Sequence, residues 1–210
     1  MTENRRPIKA RSAGWATGIT AALLEKDISP NQISIASVVF ALSGVAALML
    51  DSGVVGSILC ALAIQLRLLC NLLDGMVAIE GRKQSRLGDL YNEFPDRIAD
   101  SVLIVGVGYA IGYSDLGWCG ALAAALTAYV RVFGGSIGLK QCFCGPMAKQ
   151  HRMALMTLAL LINAAETAAF GTHKALLIAL VIIIIGSLIT CGTRTLAIAR
   201  QLKENDHVDQ

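Results

Sequence analysis

Residues 67–100 read RLLCNLLDGMVAIEGRKQSRLGDLYNEFPDRIAD, and this stretch decides the fold. Its polar residues recur at helical intervals on both sides of a short basic loop, Glu80 to Leu87. Before the loop, Arg67, Asn71, Asp74 and Ala78 are spaced by four, three and four, so they share one helix face. After it, Gly88, Asn92, Asp96 and Asp100 are spaced by four throughout and form one slowly drifting stripe. A loop this short makes the two helices antiparallel neighbours. Asp74 and Asp96 lie near the loop-side ends, so the stripes are expected to face each other across one shallow polar cavity.

Outward from this stretch the chain is apolar. It has 210 residues, of which 55% are hydrophobic and 16% charged, with a mean hydropathy of +0.60. A soluble domain carries about 25% charged residues. Ile33 to Leu50 contains no charge, and neither does Ala175 to Thr193. Each is long enough to cross a bilayer core, which takes about 20 helical residues. Four further apolar stretches lie between them, near Val54–Ala78, Gly88–Tyr113, Leu116–Gly138 and Met153–Phe170. Backbone groups in hydrocarbon must bond internally, so the expectation is an all-α polytopic membrane protein with six transmembrane helices and no soluble domain. No cleavable signal peptide is expected, because about thirty mixed residues precede the first apolar run.

Lys and Arg set the orientation. Arg5, Arg6, Lys9, Arg11 and Lys26 precede the first span, and Arg82, Lys83 and Arg86 follow the second. Lys140, Lys149 and Arg152 lie between the fourth and fifth spans, and Arg194, Arg200 and Lys203 at the end of the last. The connections on the opposite side hold a single Lys, so both termini are expected in the cytoplasm. The net charge of +3 reflects this asymmetry and does not point to nucleic acid.

Residues 1–31 are read as a cytoplasmic, interfacial segment. Ile8, Trp15, Ile19 and Leu23 fall on a helical repeat with basic residues between and before them, the pattern of a helix lying at headgroup level. Ser29-Pro30-Asn31 opens the first span, with Pro where its missing N–H costs little. Residues 32–199 form the membrane domain, and 200–210 a polar tail expected to lack structure. The six cysteines do not read as a disulfide framework. Cys60, Cys70, Cys119 and Cys191 sit in or near apolar helices, where a free Cys behaves as a small hydrophobe. Cys142, Cys144 and His151 supply too few ligands for a structural zinc site.

Ionisable residues inside spans mark functional sites by default. Those quoted above resemble the signature of the CDP-alcohol phosphotransferase family. That signature reads Asp, two residues, Asp-Gly, two residues, Ala-Arg, eight residues, Gly, three residues, Asp, three residues, Asp. The spacing matches throughout, and Asp74, Gly75, Ala78, Gly88 and Asp96 match in identity. Asn71 and Asn92 stand where the family has Asp, and Ile79 where it has Arg.

The resemblance implies transfer of a phosphatidyl or substituted phosphoryl group from a CDP-linked donor, such as CDP-diacylglycerol, to an alcohol, with release of CMP. It implies a homodimer in the bacterial cytoplasmic membrane and a Mg²⁺ or Mn²⁺ site. Asp74, Asp96, Asn71 and Asn92 would be the metal ligands, with Asp96 also the base for the attacking hydroxyl. Gly75, Ala78 and Gly88 would line the nucleotide side, with Asn31 at its edge. Arg82 or Arg67 would replace the arginine missing at Ile79. Arg131, Lys149 and Arg152 would hold the acceptor. The two Asn residues lower the site from four negative charges to two, so one tightly held ion is expected in place of two. Asp89, Glu93 and Asp100 are candidates to compensate, with Asp100 favoured by lying on the stripe. The alternative is a catalytically impaired membrane protein that retains nucleotide or lipid binding.

Overall fold

The chain's computed structural model describes residues 14–83 and 86–208, with the side chains of 86, 87, 89, 92 and 206–208 excepted. Among the described residues there are seven helices and no strand. They are α1 (Gly14–Glu25), α2 (Pro30–Leu50), α3 (Val54–Glu80), α4 (Arg86–Ala110), α5 (Ser114–Ser136), α6 (Lys149–Phe170) and α7 (Lys174–Val208). Five of them, α2, α3, α5, α6 and α7, are long and apolar enough to cross a membrane. At 25 residues α4 has the length of a span but carries the charged stripe, so composition alone does not mark it as one.

Local chemistry sets the helix starts. Ser29 caps α2 in a reciprocal box: its Oγ accepts the Gln32 N–H, and the Gln32 side chain accepts the Ser29 N–H, with Pro30 at the first position. Asp51 does the same work for α3, accepting the N–H groups of Gly53, Val55 and Gly56. At the start of α7 the Glu166 carboxylate accepts the N–H groups of Lys174 and Ala175. Glu166 thus joins the end of α6 to the start of α7.

The helices close into a ring in which α2 touches α3 and α4, α4 touches α5, α5 touches α7, and α6 joins α7 to α3. One continuous core runs through it, including Leu48, Ile64, Leu103, Ile104, Met153, Met156, Leu160, Leu180 and Ile183. The opposite faces expose large apolar side chains along their length, such as Val39, Leu62, Leu122, Leu161, Ile182 and Ile189. An apolar exterior around an equally apolar core is the pattern of a protein solvated by lipid. Near the end of the bundle away from the loop joining α3 to α4, α4 and α5 approach closely. A Cβ on Gly108 would lie 2.7 Å from the Gly117 Cα and 2.9 Å from the Tyr113 carbonyl oxygen.

Three expectations change, and one is described in part. First, α3 and α4 are not tightly packed neighbours: α2 packs against both, and the pair meets chiefly through long polar side chains. That separation makes room for the polar site. Second, the interfacial helix begins at Gly14 as far as it is described, with Trp15 and Ile19 exposed and Ala16 and Thr20 buried against Leu72 and Met76 of α3. Ile8 and the basic residues before Ser12 lie outside the described residues. Third, α7 continues through the tail as far as Val208, so its helix does not stop at Arg200. Fourth, Cys142 and Cys144 are joined by a disulfide in the loop between α5 and α6. The other four cysteines are free.

Candidate active site at the loop-side end

The site is assembled from α2, α3, α4 and α6, with α5 and α7 behind it. On α3, Asp74 is 6% exposed and accepts a hydrogen bond of 2.7 Å from Ser34 Oγ of α2. One turn earlier, Asn71 Nδ2 donates to Asp96 Oδ1 of α4 at 3.0 Å. Asn71, one turn before Asp74, thus ties the polar stripe of α3 to Asp96 of α4 at this end of the bundle. Pro95, next to Asp96, lacks the N–H that a helix interior uses, which leaves the carbonyl four residues back without its usual partner.

Asp96 is covered by donors of its own chain. Its Oδ1 also lies 3.4 Å from Arg67 NH2, its Oδ2 accepts from Lys149 Nζ, and Arg97 NH2 is 4.0 Å away. Lys149 is the first residue of α6, so the start of that helix delivers its ammonium to the site.

Deeper lies a fully buried ion network. Arg67 NH2 donates to Asp100 Oδ1 at 2.7 Å, and Arg152 NH2 of α6 donates to Asp100 Oδ2 at 3.0 Å. Arg152 NH1 reaches the Met147 carbonyl and Thr127 Oγ1 of α5. The side chains of Arg67, Arg152 and Asp100 are 0%, 1% and 3% exposed. Buried charges survive only when paired, and here two guanidinium groups share one carboxylate. This removes two sequence expectations. Asp100 is committed to Arg67 and Arg152, so it does not compensate for the missing metal carboxylates. Arg67 lies beneath the pocket with no exposed surface, so it does not replace the arginine missing at Ile79.

On the α5 side, Arg131 NH2 donates to both Glu93 oxygens at 2.7 and 2.8 Å, its NH1 donates to Gln141, and the guanidinium lies over the Phe143 ring at 5.3 Å. Glu93 is therefore the partner that a mid-helix Arg requires, and it is not a spare metal ligand. Arg97 also pairs with Glu93, at 3.6 Å. Arg194 of α7 is buried behind these residues, although the sequence pattern suggested only flanking charge. It is 5% exposed, donates to the Cys144 and Thr127 carbonyls, and ties the disulfide loop to the bundle. A signal for it exists: Ser187, Thr190 and Arg194, spaced by three and four, form a buried polar stripe on an apolar helix.

Of the remaining candidates, Gly75, Ala78 and Gly88 are half-buried on α3 and α4 near the pocket, and Asn31 is half-buried in the first turn of α2. Arg82 is exposed in the loop with a left-handed backbone (φ 51°). The side chains of Asn92 and Asp89 lie outside those described.

No three His, Cys, Asp or Glu side chains among the described residues converge to hold a metal unaided. The donor set is nonetheless of the right kind for a shared ion. Mg²⁺ is commonly bound through one or two carboxylates together with substrate phosphates, and Asp74 and Asp96 are two hard oxygen donors on facing helices. The residues fit a divalent cation that is completed by oxygens from a phosphate-bearing ligand.

No known protein family matches the chain as a sequence profile, and no curated protein matches it. Solved structures do. The phosphatidylinositol phosphate synthase of Mycobacterium tuberculosis with CDP-DAG bound is 19% identical, with a TM-score of 0.76 over 89% of this chain and 94% of that one. The same synthase with manganese and citrate gives 0.74 at 19% identity, over 87% and 88%. The chain thus has the fold of a phosphatidylinositol phosphate synthase.

Proposed function

We propose that this protein transfers a phosphatidyl or other substituted phosphoryl group from a CDP-linked donor, CDP-diacylglycerol in the first instance, to an alcohol, releasing CMP. The observation that supports the reading is the contact of Asn71, one turn before Asp74, with Asp96 across α3 and α4, at the signature spacing, in a chain with the fold of a synthase that has been solved with CDP-DAG bound. The basic residues clustered at this end favour the cytoplasmic side of the bacterial inner membrane for the site and for both termini. A homodimer is the assembly that the family resemblance favours.

In the reaction, the acceptor oxygen forms a new bond to the donor's β-phosphorus, and the bond from that phosphorus to the oxygen bridging to CMP breaks. The electron pair leaves with CMP. Asp96, partly open to the pocket, takes the hydroxyl proton. Ser34 holds the Asp74 carboxylate in position. A divalent cation held by Asp74 and Asp96 would neutralise charge growing on the leaving phosphate. Lys149, freed from Asp96, binds a phosphate oxygen as a point charge. Arg152 and Arg194, buried and bonded to Asp100, Thr127 and Cys144, brace the α6 and α7 side of the site. Phosphoryl transfer depends mainly on such positioning and charge placement.

The bonds from Asn71 and Lys149 to Asp96 favour a second reading, a protein that binds nucleotide or lipid without turning it over. Purified protein incubated with CDP-diacylglycerol, Mn²⁺ and a panel of alcohols and phosphorylated alcohols separates the two. A new phospholipid detected by mass spectrometry supports transfer. Nucleotide binding with no new lipid across the panel supports the second reading.

A further inference from the structure

We infer that Lys149 is a built-in counter-ion that occupies Asp96 and holds it against a free divalent cation until a phosphate-bearing ligand arrives. The inference rests on the reading of the site as a nucleotide pocket, and three observations carry it.

The first is occupancy. Both oxygens of Asp96 are engaged by the chain: Oδ1 by Asn71 Nδ2 and Arg67, Oδ2 by the Lys149 ammonium. A metal approaching Asp96 meets the positive charge of Arg67 beside Oδ1 and of Lys149 against Oδ2. Arg67 is wholly buried and bonded to Asp100, and Asn71 is fixed on α3. Lys149 is the donor able to leave, because its side chain is 26% exposed and sits at the end of a helix on a four-carbon stem.

The second is charge. Asp96 and Asp100 are met by Arg67, Lys149 and Arg152, and Arg97 links Asp96 to Glu93 and Arg131; with Asp74, which only the Ser34 hydroxyl holds, four carboxylates stand against five cations, so the set carries no net negative charge. A free divalent ion therefore meets little net attraction. A pyrophosphate changes this, because it brings negative charge that attracts the ion and gives the Lys149 ammonium a new partner.

The third is the pair of amides. Asn71 and Asn92 remove two negative charges from a motif that the family fills with carboxylates. In a site with four carboxylates one ammonium would leave three negative charges for metal. Here it leaves one, from Asp74 and Asp96 together. The Asn substitutions and the Lys149 contact therefore act in the same direction, making cation loading depend on the ligand.

The test is Mn²⁺ binding to detergent-purified protein, followed by loss of the free Mn²⁺ electron paramagnetic resonance signal. Wild type, Lys149→Met, Lys149→Gln and Lys149→Arg are compared, each checked for folding by thermal unfolding. The two neutral variants are expected to bind one Mn²⁺ about tenfold or more tightly than wild type, and Lys149→Arg to resemble wild type. The inference is overturned if wild type binds Mn²⁺ alone within about threefold of Lys149→Met and Lys149→Gln, or if none of the four binds it. Met and Gln differ in polarity but not in charge, so one failing to fold leaves the other to decide. A parallel arm adds CDP, corrected for Mn²⁺ bound by CDP itself. Its failure to raise uptake by wild type, with the neutral variants still binding tightly, would sink the nucleotide reading and leave Lys149 as the competitor.

Discussion

Replacing Asp100 with Ala removes the one carboxylate that two buried arginines share. Arg67 and Arg152 are 0% and 1% exposed, and neither can rotate to water without opening the bundle. Three of their nitrogens, Arg67 Nε, Arg67 NH1 and Arg152 Nε, already lack a hydrogen-bond partner. Breaking a buried ion pair by deleting one partner costs about 3–5 kcal/mol. Arg67 keeps Asp96 Oδ1 at 3.4 Å, and Arg152 keeps the Met147 carbonyl, which puts the loss at the lower end, about 3 kcal/mol. For a chain of this size each kcal/mol moves the midpoint by about 2–4 °C, so a fall of roughly 6–12 °C is expected. The assay is thermal unfolding in detergent, followed by far-ultraviolet circular dichroism. The triple variant Arg67→Met, Asp100→Leu, Arg152→Met removes the charges together and should recover most of the loss, because it leaves no orphaned charge. An Asp100→Ala protein that unfolds within about 2 °C of wild type would refute the assignment of Asp100 as the shared counter-ion.

Other outcomes follow from the same geometry. Gly108→Ala places a Cβ against the backbone of Gly117 and Tyr113, so α4 and α5 must separate, and a loss of about 1–3 kcal/mol is expected by thermal unfolding. The Asp51 carboxyl is held below its ordinary value, first by the Gly53 N–H and then by those of Gly56 and Val55. Its contribution to stability is therefore fully present above about pH 4, the unfolded value, and is lost as pH falls through the lower folded value. Asp51→Asn should flatten that acid limb in a pH series of unfolding midpoints. Alkylation of denatured, unreduced protein should label the four free cysteines, Cys60, Cys70, Cys119 and Cys191, and all six after reduction. Labelling of six without reduction contradicts the Cys142–Cys144 pairing.

The parts of this molecule legible in the sequence are those set by local periodicity. Charge-free runs the length of a bilayer mark spans whatever they pack against, and helical spacing by itself puts Asp74 and Asp96 each on a polar stripe of its own helix. The Ser29-Pro30 helix start is likewise a local signal. What the sequence hides depends on partners distant in the chain. Asp100 looks like a spare metal ligand because its spacing fits the stripe; that Arg67 and Arg152 claim it is decided by how α3 and α6 dock. Glu93 and Arg131, 38 residues apart, find each other only once α4 and α5 pack. Arg194 reads as flanking charge because positive-inside statistics explain any basic residue at that end. Its stripe with Ser187 and Thr190 is the better clue. The tail beyond Arg200 looks unstructured by composition, yet Gln201 bonds Lys140 and gives the helix a reason to continue.

The central claim is that Asp74 and Asp96 together drive group transfer from a CDP-linked donor. The direct measurement is CMP release from CDP-diacylglycerol by the purified protein with Mn²⁺ and an alcohol panel, for wild type against Asp96→Asn and Asp74→Asn. The account predicts alcohol-dependent CMP release by wild type, lowered about 10²–10⁴-fold in Asp96→Asn and strongly in Asp74→Asn, with both variants folded. Release by Asp96→Asn at the wild-type rate would contradict it.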